Sequence, residues 1–166
     1  MAGITFKGQP TRTAGSLPAI GSKAPDFELT GTDLAQYTLG QWSGQRKLLN
    51  IFPSVDTPVC AASARRFNEE ASRYADTVIL NVSADLPFAQ NRYCASEGLA
   101  DVRNLSTFRA PEFGVNYGVR IEEGPLRGLC ARAIVVIDEH DTVVHTQLVA
   151  EIGDEPDYEA ALKALG

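Results

Sequence analysis

Three residues in the stretch Phe52 to Ser63 (FPSVDTPVCAAS) have types and spacing suited to thiol chemistry: Pro53, Thr57 and Cys60. Cys60 stands where an apolar run, Lys47 to Phe52 (KLLNIF), gives out and a run of helix-tolerant residues, Cys60 to Ala75, begins. A helix N-terminus presents unpaired N–H groups and roughly half a positive charge, so it stabilises an anion. Thiolate, the nucleophilic form of cysteine, is favoured in that place. The Thr57 hydroxyl could donate to the sulfur or to a bound oxygen atom, while Pro53 and Pro58 constrain the turn. An inert buried cysteine satisfies the same position, because free cysteine is often a small apolar filler.

The register Cys60-Ala61-Ala62-Ser63 places serine where a C-x-x-C pair would have its second sulfur. No local dithiol can form, so a redox partner for Cys60 must come from elsewhere in the chain. Cys94 lies among polar residues (NRYCASE), and Cys130 immediately precedes the strand-like ARAIVVID. Cys94 reads as the more accessible and Cys130 as the packing residue, though either could be a filler. The cysteine count is three, an odd number, and the N-terminal MAGITFKGQPTRTAGSLPAIG lacks the continuous apolar run of a secretory signal. A cytoplasmic location is therefore expected, where reducing systems disfavour permanent disulfides.

Composition removes several other classes. The net charge of −6 over 166 residues offers no basic stripe for nucleic acid. No apolar run approaches the ~20 residues of a membrane-spanning helix. His140 and His145 are poorly spaced for a metal site with the cysteines, and no Gly-rich phosphate loop occurs.

The surrounding elements must position these groups. Thr5 to Thr13, with Gly8-Gln9-Pro10 at its centre, reads as an N-terminal hairpin, and Leu17 to Asp26 as an extended connection. Phe27 to Leu29 and Tyr37 to Leu39 form a second strand pair. Lys47 to Phe52 and Thr77 to Ser83 read as strands buried on both faces, and Val102 to Phe108 could form a third strand. Helices are expected over Cys60 to Ala75, Pro87 to Glu97 (opened by proline, stopped at Gly98), Pro111 to Tyr117 and Pro156 to Leu165. Ala131 to Asp138 and Thr142 to Val149 form a hairpin around Glu139-His140. This order predicts one α/β domain over residues 1–166. Its fold is thioredoxin-like: a mixed central sheet flanked by helices, with an N-terminal β-hairpin.

Four blocks then stand in order: NIFPSVDTPVCAASARRFN, with P-x-x-x-T-x-x-C at Pro53, Thr57 and Cys60; SADLPFAQNRYC, ending at Cys94; GPLRGLCARAIVVID, containing Arg132; and EPDYEAAL. Across essentially the whole chain they resemble the thiol peroxidase branch of the peroxiredoxin family, the atypical two-cysteine type. The resemblance implies that Cys60 is the peroxide-attacking (peroxidatic) cysteine and Cys94 the resolving one. It makes Thr57 a hydrogen-bonding hydroxyl, Pro53 a shield, and Arg132 the guanidinium that steadies thiolate and peroxide. It also implies a homodimer, to which Phe108 to Tyr117 could contribute. The implied activity is antioxidant reduction of hydrogen peroxide and organic hydroperoxides through a Cys60–Cys94 disulfide. Thioredoxin is the implied reductant, and no cofactor is required. Cys130 departs from the pattern, and Asn81 occupies a position where some relatives carry a third, non-essential cysteine.

Ionisation alone cannot explain such an activity. A thiol moved from pKa ~8.5 to ~6 gains about thirtyfold in ionised fraction at pH 7. It loses about thirteenfold in nucleophilicity if the slope for thiol exchange applies. Donors aimed at the separating oxygens must supply the remainder, and an arginine fork is well suited to that task. An arginine opening a strand is ordinarily a surface ion-pair partner, and only the block around Arg132 argues otherwise. Two other readings compete: a disulfide-exchange protein, disfavoured by the missing C-x-x-C, and a thioredoxin-fold binding or holdase module with structural cysteines.

Overall fold

The computed structural model describes residues 2–71, 73–74, 76–97 and 102–165. The chain opens with an antiparallel hairpin, β1 (Gly3–Phe6) and β2 (Gln9–Arg12), with Phe6 paired to Gln9. Its two-residue turn is Lys7-Gly8, with φ of 51° and 78°. Positive φ at both positions matches the right-handed twist of a hairpin, and glycine adopts it without strain.

Seven strands form the main sheet, in the order β4-β3-β7-β6-β5-β8-β9. They are β3 (Glu28–Gly31), β4 (Gln36–Thr38), β5 (Arg46–Ile51), β6 (Thr77–Ser83), β7 (Val102–Ser106), β8 (Ala133–Ile137) and β9 (Val143–Leu148). The central three, β5, β6 and β7, run parallel, and the flanking pairs are antiparallel. The mixed sheet, the strand pairs and the N-terminal hairpin stand as the sequence predicts.

Helix α1 (Pro58–Ala71) joins β5 to β6, and α2 (Pro87–Glu97) joins β6 to β7. Both crossovers step in the same direction across the sheet. Right-handed connections therefore place both helices on one face. The C-terminal helix α4 (Tyr158–Leu165) joins them, so Leu48, Ile79, Val102, Phe67, Tyr93 and Leu162 share one core. The short α3 (Glu112–Asn116) covers the opposite face, where Leu49, Leu80, Leu105, Phe113 and Tyr117 pack. Leu39–Trp42, the continuation of the second strand pair, is a 3-10 turn on that second face.

Helix α1 starts at Pro58, two residues before the predicted Cys60, because Thr57 already serves as its cap. Ala61 N–H donates to the Thr57 carbonyl at 3.1 Å, the first helical bond. The helix does not run on to Ala75 as expected: Arg73 N–H turns back to Glu70 O at 3.1 Å and residues 73–74 form a turn, while residues 72 and 75 and the expected stop at Gly98 lie outside the described residues. No described helix is long and apolar enough to cross a membrane.

Candidate active site

Cys60 is the third residue of α1, and its thiol is buried at 1% exposure beneath the helix start. Pro58 has no N–H, and the first helical bond begins at Ala61. The N–H groups of Val59 and Cys60 thus precede the hydrogen-bonded ladder and give the helix its positive end. Arg132, the residue before β8, reaches the same sulfur: Nη1 donates to Cys60 Sγ at 3.2 Å. Its Nε donates to the Ile152 carbonyl at 2.8 Å, which fixes the plane of the guanidinium. At 2% exposure this arginine is a core residue, and the surface ion-pair reading of a strand-opening arginine does not apply.

The N-terminal hairpin supports that arrangement from behind. Ile152 N–H donates to Thr5 O at 2.9 Å, and Thr5 N–H donates to Ala150 O at 2.8 Å. Ile4 and Ile152 share a small apolar cluster with Ile121 and Ala131. The carbonyl that orients Arg132 is thereby held in place by the first strand of the chain.

The sequence expectation for Thr57 is a donor to the sulfur or to a bound oxygen atom, and in this structure the hydroxyl proton points to the backbone. Its hydroxyl donates to Ser54 O at 3.0 Å. With its proton committed, Thr57 Oγ1 has lone pairs to offer, so it can accept a hydrogen bond from a protonated peroxide. Pro53 is buried in the turn between β5 and α1. Val55, Asp56, Thr57, Pro58, Arg92 and Tyr93 line an open concavity of about 470 Å³ at this end of α1.

Sequence reasoning missed the residue that holds this turn. Asp85, in the segment between β6 and α2, accepts from Ser54 Oγ and from Val55 N–H, each at 2.8 Å. Ser83 Oγ donates to it at 2.6 Å. An acidic residue just ahead of Pro87 is a visible signal for a helix start, but not for a contact 30 residues away in the chain.

Cys94 lies on α2 in the same core layer as Cys60, and both thiols are free. Partial burial raises the pKa of Cys94, and a hydrogen bond from Asn104 Nδ2 offsets part of that rise. Cys130 is on the other side of the sheet, buried at 4% exposure in the second core. Burial pushes its pKa up to about 12, so it is a protonated packing thiol at ordinary pH.

A buried thiol at a helix start, gripped by an arginine on a thioredoxin-like sheet, defines a thiol-redox protein. Comparison with known proteins narrows this class. The family model described as Redoxin matches residues 19–162. Over all 166 residues the chain is 55% identical to the thiol peroxidases of Mycobacterium bovis and Mycobacterium tuberculosis, covering 99% of each. A peroxiredoxin-like protein from Aquifex aeolicus superimposes with a TM-score of 0.92 at 36% identity, over 99% of this chain and 96% of that one. A thiol peroxidase from Chromobacterium violaceum gives the same TM-score and coverage at 25% identity. The chain belongs to the redoxin family and, within it, to the thiol peroxidase branch of the peroxiredoxins.

Proposed function

We propose that the protein reduces hydroperoxides at Cys60, in the cytoplasm, as part of antioxidant defence. The observation that carries this reading is the guanidinium of Arg132 on the sulfur at the start of α1. A thiolate buried at this depth would be strongly disfavoured without a compensating charge and donors. Arg132 and the helix start supply both.

In the first step Cys60 thiolate attacks the hydroxyl oxygen of the hydroperoxide. An S–O bond forms and the O–O bond breaks. The sulfur loses two electrons and becomes a sulfenic acid, and the departing alkoxide or hydroxide takes up a proton as alcohol or water. Arg132 offers donors to the charge that moves from sulfur to oxygen, and Thr57 Oγ1 orients the peroxide by accepting a hydrogen bond from its O–H. Fixed donors of this kind are worth about 3 kcal/mol each in a water-poor site. Pro53 limits the access of water.

In the second step the Cys94 thiol condenses with the sulfenic acid, giving a Cys60–Cys94 disulfide and water. Both residues stand on intact helices in the reduced protein. Bonded cysteines need Cα atoms within about 7 Å, so a helix opens locally to bring the sulfurs together. Two thiol–disulfide exchanges with the dithiol of thioredoxin return both cysteines to thiols.

The homodimer belongs to this reading, with the exposed Phe108 and Val115 as contact residues; sedimentation equilibrium tests it. The decisive test of the chemistry replaces Cys94 and Cys130 and follows the Cys60 thiol against stoichiometric hydroperoxide. Rapid loss supports peroxidase chemistry, whereas survival at the rate of free cysteine refutes it.

A further inference from the structure

The three central strands carry a row of asparagines that the proposed chemistry does not use. Asn50 pairs in register with Asn81, and Asn81 with Asn104, across β5, β6 and β7. Two residues before each stand Leu48, Ile79 and Val102, all in the core beneath α1 and α2, so the three amides face the same helices. All three are buried in a layer where an unpaired amide is costly.

The row reaches towards both cysteines. Ser63 Oγ donates to the Cys60 carbonyl at 3.0 Å, and Asn50 Nδ2 contacts Ser63 Oγ at 3.4 Å. Asn50 Nδ2 also donates to Asn81 Oδ1 at 3.0 Å. Among the described residues, Asn81 Nδ2 and Asn104 Oδ1 have no partner, a donor and an acceptor on adjacent registered residues. Asn104 Nδ2 donates to Cys94 Sγ. Cys94 thus accepts at one end of a row of buried amides whose other end, Asn50 and Ser63, lies beneath Cys60, with Asn81 Nδ2 and Asn104 Oδ1 unpaired between them.

Neighbouring residues of α2 face different ways. Tyr93 hydroxyl donates to Ala61 O on α1 at 3.1 Å, whereas Cys94 faces β7. Cys94 and Asn104 line a cavity of about 210 Å³ with Tyr37, Asn91 and Arg103. To meet Cys60, Cys94 must leave this seat.

We infer that Asn104 is a positioning residue for Cys94: it holds the reduced sulfur against β7 and so sets how often the residue is released towards Cys60. The role in turnover rests on the peroxidase reading, but the seat itself can be tested without peroxide. Removing one neutral hydrogen bond of ~1 kcal/mol raises the released population about fivefold.

The experiment uses Cys60→Ser protein and a fluorescein maleimide, whose bulk hinders its approach to the half-buried seat, so Cys94 labels faster when it is released. Cys130, in the opposite core, reports global opening in the same sample. With Asn104→Leu, Cys94 should label about fivefold faster and Cys130 at an unchanged rate. Asn104→Ser, whose shorter side chain cannot reach the sulfur, should act alike and serves if the leucine variant does not fold. Equal labelling of Cys94 in parent and variant overturns the inference. So does an equal acceleration of both thiols, which marks a structural role only. A protein inert to peroxide can still pass this test, so failure here and failure of the peroxidase reading are distinguishable.

Discussion

Arg132 Nη1 lies 3.2 Å from Cys60 Sγ, and Nε of the same side chain donates to Ile152 O at 2.8 Å. One edge of the guanidinium is thereby fixed to the backbone and another to the sulfur. Lysine keeps the charge, but its three donors share one nitrogen on a flexible stem and cannot form the planar fork that reaches two acceptors in fixed directions. Arg132→Lys should therefore lose about 10²-fold in the second-order rate of Cys60 oxidation, and Arg132→Met at least as much. Stopped-flow fluorescence with hydrogen peroxide measures this step. A lysine variant within twofold of the parent would remove the fork geometry from the mechanism.

Thr57 allows a finer test, because its hydroxyl donates to Ser54 O and leaves its oxygen as an acceptor. Thr57→Val keeps the shape but removes that acceptor and the bond to Ser54. Thr57→Ser retains both. The valine variant should oxidise about 10- to 100-fold more slowly, with the serine variant close to the parent. Far-ultraviolet circular dichroism of both variants should show that α1 is intact. A slowed serine variant beside a valine variant at the parent's rate would mean that the threonine methyl, not the hydroxyl, matters.

The sheet itself separates the two candidate resolving thiols. Cys94 shares a core with Cys60, while Cys130 packs with Leu49, Leu80 and Phe113 on the other face. No local opening of α2 brings Cys130 through the sheet. Peptide mapping after one equivalent of hydroperoxide should find Cys60 joined to Cys94 in the parent and in Cys130→Ser. Cys94→Ser should stop at the sulfenic acid and proceed to sulfinic acid with excess peroxide. A dominant Cys60–Cys130 link would overturn the assignment.

Stability can be probed away from the site. Lys47 is fully buried, and its ammonium forms an ion pair with Asp141, whose φ of 62° is left-handed. Asparagine tolerates that backbone, so Asp141→Asn removes the charge without new strain. An ammonium left in the core without its counter-charge should cost about 3 kcal/mol, towards the lower end for a buried pair because Asp141 is partly exposed. Urea unfolding measures the loss, and a change below 0.5 kcal/mol would show that Lys47 finds another partner.

Particular residues show what could be read from the chain in advance. The parallel core was legible because KLLNIF and TVILNVS are nearly continuous apolar runs, as strands buried on both faces must be. Cys60 was legible because a strand end and a helix start sit on either side of it. The structure brings Arg132 to its sulfur, although a strand-opening arginine alone argues for the surface. Asp85 and Asn104 were not legible, since their partners depend on which helices share a face of the sheet. The Asn row did leave a trace, with a lone amide within each of the three central strands. Its meaning required the register between strands, which no single segment contains. The bond from the Thr57 hydroxyl to Ser54 O was not legible either, because it depends on the conformation of the turn.

The buried thiol of Cys130 makes a final prediction about alkaline stability. Its pKa rises from 9.0 to about 12 because burial penalises the thiolate. Between these values the native state holds a proton that the unfolded chain has released. The contribution of this group to stability is therefore complete below pH 9 and falls as pH climbs towards 12. The slope can reach ~1.4 kcal/mol per pH unit. Cys130→Val keeps similar bulk without an ionisable proton, so it should lack this component. Urea unfolding between pH 7 and pH 10.5, with Cys60 and Cys94 replaced in both proteins, isolates the difference. The parent should lose stability more steeply than the valine variant above pH 9, while the two curves run parallel below it. Parallel curves over the whole range would mean that Cys130 ionises in the folded protein as readily as in the unfolded chain, and that its core is open to water.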